Sequence, residues 1–196
     1  MHPAPASRLR ALALALGAAL LTPACAGPVD ESGRKEFHAA LGHTSITVFP
    51  AHVRSNTPEG TRAEPGEAAR LAEWLRAQGL AEARVADVAC PLPEEADGFQ
   101  WGVFKQDAAA LGAFVREHPQ GTAYALLAEY LITRTPDGGT AAGGVMVYVV
   151  DAQGRFVDAL ILNSHHEAFR KAAARTPAEC TALVIEVLAP EWKPAG

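Results

Sequence analysis

Cysteine is scarce in this chain, with three in 196 residues. Cys25, Cys90 and Cys180 include no Cys-x-x-Cys pair, so thiol-redox chemistry lacks its usual motif. Basic residues are outnumbered, 17 Lys plus Arg against 22 Asp plus Glu. No basic stripe emerges, which argues against nucleic-acid binding and against adhesion to anionic lipid by charge. No apolar run approaches the roughly 20 residues needed to span a bilayer. Nucleophile and phosphate motifs are missing too: there is no G-x-S-x-G, no H-E-x-x-H, and no Walker or dinucleotide glycine pattern. Gly143-Gly144 ends a loop outside any strand-to-helix context. No repeat occurs at solenoid or propeller spacing.

What is present begins with a three-part export signal over residues 1–26. Arg8 and Arg10 supply a positive start, Ala11 to Leu21 an apolar run of 11 residues, and Thr22-Pro23-Ala24-Cys25-Ala26 a small-residue end. Two cleavage points fit. Ala24-Cys25-Ala26 obeys the small-x-small rule with cleavage before Gly27, whereas Leu21 to Cys25 is similar to a bacterial lipobox with cleavage before a lipidated Cys25. The second is slightly favoured, and it implies a lipid tether without a spanning helix. Under either cleavage Cys90 and Cys180 remain as an even pair in an exported protein, which points to a disulfide. Closing so long a loop would contribute about 3–5 kcal/mol. Two separate buried thiols are the alternative. Loss of Arg8 and Arg10 lowers Lys plus Arg from 17 to 15 and brings the net charge to −7.

The strongest structural signal lies between Thr122 and Leu188. TAYALLAEYLITR (122–134), GVMVYVVDA (144–152) and RFVDALILN (155–163) are rich in Val, Tyr, Ile and Leu, as pleated, buried strands require. Pro136-Asp137-Gly138-Gly139 and Asp151-Ala152-Gln153-Gly154 are dense in turn formers, so the three strands form an antiparallel meander. In the middle strand Val145, Val147 and Val149 face one side and Met146, Tyr148 and Val150 the other. Both sets are apolar, so this strand is expected to be covered on both faces.

Upstream, residues 27–43 read as a tether with a short helical piece, Arg34 to Leu41. Thr44 to Phe49 alternates as a first strand, ended by Pro50. Residues 54–66 hold Pro58, Gly60, Pro65 and Gly66 and read as a loop. Glu67 to Gln78 is an amphipathic helix with Leu71, Trp74 and Leu75 on one face and Gly79 as its stop. Ala83 to Ala89 returns as a strand, and the β-α-β order favours parallel pairing. Cys90 to Gln100 reads as an exposed loop, and Asp107 as the cap of a helix over 108–117. Ser164 with Glu167, and Thr176 with Glu179, both have capping-box form. The last helix runs from Pro177 to Leu188. The expectation is an α/β (α+β) domain over 44–190, with a tail at 191–196. It has a single mixed sheet of about five strands with an antiparallel C-terminal meander, covered by three to four helices.

Candidate chemistry is thin. His165-His166-Glu167 holds zinc-type ligands, but adjacent helical residues diverge by about 100°, whereas zinc motifs place ligands at i and i+3 or i+4. His165 and His166 therefore read better as polar first-turn residues than as metal ligands. Glu129, within LLAEYLI, would have a raised pKa if buried and unpaired, a route to acid–base chemistry. An exposed or rim-facing position is the favoured expectation for Glu129, and Asp158 is read the same way. Trp74, Trp101 and Trp192 suit packing as well as a binding platform. No catalytic residue and no cofactor is assigned.

The order of elements resembles a family. ITVFP is followed by the helix AARLAEWLRAQG, the strand ALLAEYLI and the strand pair VYVVDAQGRFVDA. This is similar to the envelope lipoprotein domains of the curli-secretion lipoprotein, penicillin-binding-protein activators and the TolB amino-terminal domain. There a D-x-x-G-(R/E) turn joins paired strands, matched here by Asp151, Gly154 and Arg155. The resemblance covers roughly 44–188, and departs from the family in the Pro-rich stretches 54–66 and 90–100 and in lacking a Thr-Gly pair after ALLAEYLI. It implies a domain that works by interaction, with a protein of the envelope as partner, in the periplasm or anchored at the outer membrane. The alternative from another class is an exported hydrolase, metal-dependent in one version, using His165, His166 and Glu129.

Overall fold

The structure, a computed structural model, describes residues 29–93 and 101–194. The stretch expected to be an export signal, with Cys25, and most of the expected 90–100 loop fall outside the described residues. Five helices and seven strands are formed among the described residues, the strands in one mixed sheet.

Within the expected tether at 27–43, the described residues from 29 onward are instead part of the domain. Asp30 caps α1 (Glu31–Ala40) by accepting from Ser32 N at 3.0 Å, and Phe37 is fully buried. The helix lies on the sheet through Gly33, where an added Cβ would meet Val157 at 2.9 Å.

β1 (Thr44–Val48) and β2 (Ala51–Ser55) follow as two halves of one bent line. Both run parallel to the same later strand, interrupted only at Phe49-Pro50. Pro50 marks a break but not an end, because its missing N–H falls at the interruption where no ladder bond is needed. Part of the 54–66 stretch, read as loop, is a third strand, β3 (Arg62–Glu64), antiparallel to β2. α2 (Pro65–Ala77) starts on a proline, whose lost N–H would lack an intrahelical partner at this position anyway. It buries Ala68, Leu71, Ala72 and Leu75. β4 (Ala81–Val85) then pairs parallel with β1, as the β-α-β order required.

α3 (Trp101–Glu117) is longer than the expected 108–117. The meander matches closely: β5 (Tyr124–Arg134), β6 (Thr140–Asp151) and β7 (Phe156–Leu162) pair antiparallel in sequence order. α4 (Glu167–Ala172) lacks the capping box read at Ser164, since His166 occupies the cap position without a side-chain bond. α5 (Pro177–Leu188) has the box in full, Thr176 Oγ1 accepting from Glu179 N and Glu179 accepting from Thr176 N.

Two cores result, one on each side of the sheet. On the first, Val145, Val147 and Val149 of β6 meet α1, α2 and α5. Trp192, read as part of a tail, is buried there, stacked on Trp74 at 6.1 Å and edge-on to Phe37 at 5.1 Å. On the second, Met146, Tyr148 and Val150 meet Phe104, Ala108, Leu111 and Val115 of α3. The middle meander strand is thus covered on both faces, as its two apolar sets demanded. No helix among the described residues is long and apolar enough to cross a membrane.

Candidate functional site

The turn Asp151 to Gly154 fastens the second face. Asp151 Oδ1 accepts from Gln153 N at 2.9 Å and Arg155 N at 2.8 Å, and its Oδ2 accepts from Arg155 Nε at 2.5 Å. Gly154 takes φ +72°, a conformation glycine adopts without strain. It lies so close to α3 that a Cβ on Gly112 would stand 2.4 Å from the Gly154 carbonyl oxygen. Helix and turn therefore meet backbone to backbone, a contact open only to glycine on both sides.

Under α3 sits the main cluster of ionisable groups. Its origin is the interruption at Phe49-Pro50. Val48 is opposite Leu126 while His52 is opposite Glu129, so the β1–β2 line carries one extra residue. Side chains alternate along a strand, and one extra residue reverses which face each occupies. His52 and Arg54 are thereby turned toward α3, on the same side as Glu129. Leu71-side burial is left to Ala51 and Val53.

Arg54 is the hub. Its Nε donates to Glu129 Oε1, and its Nη2 donates to Asp107 Oδ1 and Oδ2 at 3.0 and 3.1 Å. Nη1 donates to the Pro93 carbonyl at 2.7 Å. Tyr148 completes the set, its hydroxyl donating to Glu129 Oε2 at 2.7 Å. Glu129 is 1% exposed, Asp107 0%, and the Arg54 side chain 11%. Two carboxyl groups thus share one guanidinium out of water. Asp107 is pushed up to about 7 by burial first and by the neighbouring Glu129 carboxylate second, with Arg54 pulling the other way. Burial and the same carboxylate raise the Tyr148 hydroxyl far above its ordinary value, so it stays a donor. Burial lowers the His52 imidazole against the opposing pull of Glu129, with Arg54 adding to the fall.

Two buried carboxyl groups side by side are suited to general acid–base work when a substrate reaches them. Here each carboxylate is engaged by Arg54 and covered by α3. The cluster joins β2, β5, β6 and α3, and its direct effect is to hold that helix on the sheet.

The sequence candidates are distributed differently from expectation. Glu129 and Asp158, expected at exposed or rim positions, are both buried. Asp158 on β7 takes Arg34 Nε at 3.2 Å and His38 Nε2 at 2.9 Å from α1. Asp107, expected as a cap, lies inside α3. His165 and His166 are exposed beside α4, whose Ala168 and Phe169 pack on the first face. Glu129 faces the second, so the sheet separates the three residues of the hydrolase alternative. Among the described residues no group of His, Cys, Asp and Glu is arranged to hold a metal. The disulfide is also corrected: Cys90 and Cys180 are both free and buried, Cys90 in the α3-side core and Cys180 in the opposite core. The sheet stands between them, and burial pushes each thiol up to about 12.

Arg54, Asp107 and Tyr148 were missed as partners of Glu129. One signal was available for Asp107, which falls on the buried stripe Phe104, Ala108, Leu111, Val115 of its helix, where an uncompensated carboxylate would be costly. No comparable signal marks Arg54.

No family model matches the chain, and no curated protein matches it. Among solved structures the chain is similar to the PelC dodecamer from Paraburkholderia phytofirmans, at 18% identity and a TM-score of 0.39, over 76% of this chain and 89% of that one. A likeness of that size assigns neither function nor assembly.

Proposed function

We propose that this protein is a non-catalytic binding or assembly module of the bacterial cell envelope, exported and tethered through a lipidated Cys25. The observation that carries the reading is the closed state of the Arg54–Glu129–Asp107–Tyr148 cluster. Its carboxylates are engaged by a guanidinium and a phenol beneath a helix, the arrangement of a fastening inside a rigid scaffold. The export signal with Arg8, Arg10 and the apolar run to Leu21 supports the compartment, and Ala24-Cys25 supports the anchor. The resemblance of the Asp151-x-x-Gly154-Arg155 turn to envelope lipoprotein domains points the same way.

The test is crosslinking in intact cells, followed by purification of the chain and mass spectrometry of what accompanies it. One envelope protein recovered in near-equal amount is expected. A clean blank from folded, correctly located bait would remove the module reading. Cys25→Ser with labelled palmitate tests the anchor separately, and labelling that persists in that variant would refute it.

A further inference from the structure

Three connections meet at the far end of the meander: the β2–β3 loop, the β5–β6 turn and the link between α4 and α5. They enclose a cleft of about 330 Å³ whose lining includes Arg62, Arg134, Arg175, Glu59, Thr176 and Pro177, a volume within the range of small-ligand sites. The cleft is held in shape by bonds between its walls. Arg134 N donates to Asn56 Oδ1 at 2.8 Å, tying β5 to the β2–β3 loop. Thr140 Oγ1 donates to the Arg175 carbonyl at 2.9 Å, and Ala142 N to the Ala174 carbonyl at 2.8 Å, tying β6 to the α4–α5 link.

The charges inside are unevenly used. Arg62 is occupied by Glu59 at 2.9 Å and Glu64 at 2.6 Å. Glu179 is occupied by the N–H groups of Arg175 and Thr176, and Asp137 by the Thr135 hydroxyl and Gly139 N–H. Arg134 and Arg175 form no ion pair among the described residues, and both are exposed. Two guanidiniums without an ion-pair contact therefore stand on one small cleft of a chain whose net charge is negative, Arg175 also within the electrostatic reach of the Asp137 and Glu179 carboxylates. Guanidinium groups match the several oxygens of a phosphoryl group in bidentate fashion.

We infer that this cleft is a binding site for a small phosphate dianion, free or as a monoester, held between Arg134 and Arg175. The site goes beyond the module function and does not depend on it, since partner capture and phosphate binding are read in separate experiments. Calorimetric titration of the purified protein with inorganic phosphate, at ionic strength fixed with chloride, is expected to show saturable one-to-one binding. Arg134→Gln and Arg175→Gln should each weaken it by about tenfold or more, the scale of a charge-assisted contact. Arg70→Gln, on the exposed side of α2, should leave it unchanged. Glycerol 3-phosphate is the second probe: tighter binding than inorganic phosphate assigns an organic monoester, and weaker binding assigns the free ion. Absence of saturable heat up to about 10 mM phosphate would overturn the site. So would affinity that survives both substitutions in proteins with unchanged thermal melting.

Discussion

The two faces of the sheet are covered by different means. On one, α1, α2 and α5 bury a broad and mainly apolar surface, with Tyr130 paired to Thr181 at 2.7 Å and Asp158 to Arg34 and His38 at the α1 end. On the other, a single helix, α3, covers a smaller apolar set and is held by a buried guanidinium with two carboxyl groups, and by the Gly112–Gly154 contact. Apolar burial is non-directional and grows with area. Buried ion pairs are directional, and breaking one leaves a charge with no compensation. The broad face can absorb an error in one side chain, whereas the narrow face concentrates its attachment in a few groups that must all be in place.

The comparison is broken most sharply by Arg54→Ala. It leaves Glu129 and Asp107 buried without a cation, and a loss of about 3–5 kcal/mol is expected in urea unfolding. The loss should shrink in acid, where protons replace the guanidinium. Leu75→Ala on the broad face should cost about 2–5 kcal/mol through the cavity it leaves, with no dependence on pH. A loss from Arg54→Ala no larger than a typical exposed substitution would erase the contrast between the faces.

Asp107→Asn sharpens the same contrast through pH. Asp107 stands at about 7 when folded against an ordinary 3.8, so the folded protein binds this proton more tightly than the unfolded chain. The stability it contributes is full below about pH 4 and falls as pH rises to about 7, by at most about 1.4 kcal/mol per pH unit. Asp107→Asn should flatten that fall and be more stable than the parent at pH 8, measured as urea midpoints across the range. A parent and variant with parallel curves would show that Asp107 does not hold the proton. Smallest is Thr176→Ala, which removes the α5 cap and should cost about 1 kcal/mol on the broad face, read by thermal melting.

Several elements were legible because their signals are local. Alternation and paired turns placed β5, β6 and β7 within a few residues, and the two apolar sets of β6 foretold two covered faces. The i, i+3, i+4 spacing of Leu71, Trp74 and Leu75 placed α2, and Thr176 with Glu179 placed the start of α5. Other features were legible only in part. Pro50 hid β2, because a proline that ends one strand and a proline at a bulge look the same in sequence. Ser164 with Glu167 had the form of a cap but Asn163 took part in the turn instead, accepting from His165 N at 2.9 Å. Glu129 and Asp158 were read as exposed because their partners are distant: Arg54 lies 75 residues before Glu129, and His38 lies 120 before Asp158.

The sequence by itself therefore determined β1, the three meander strands, α2 and α5, the parallel return of β4 and the net charge, since each follows from neighbouring residues and their periodicity. Only the tertiary structure decided which face each polar residue occupies. One extra residue at Phe49-Pro50 reverses the alternation and turns His52 and Arg54 toward Glu129, while the sheet itself separates Cys90 from Cys180 and His165 from Glu129. Those outcomes depend on register between distant strands, and register is set by the packing of the whole sheet.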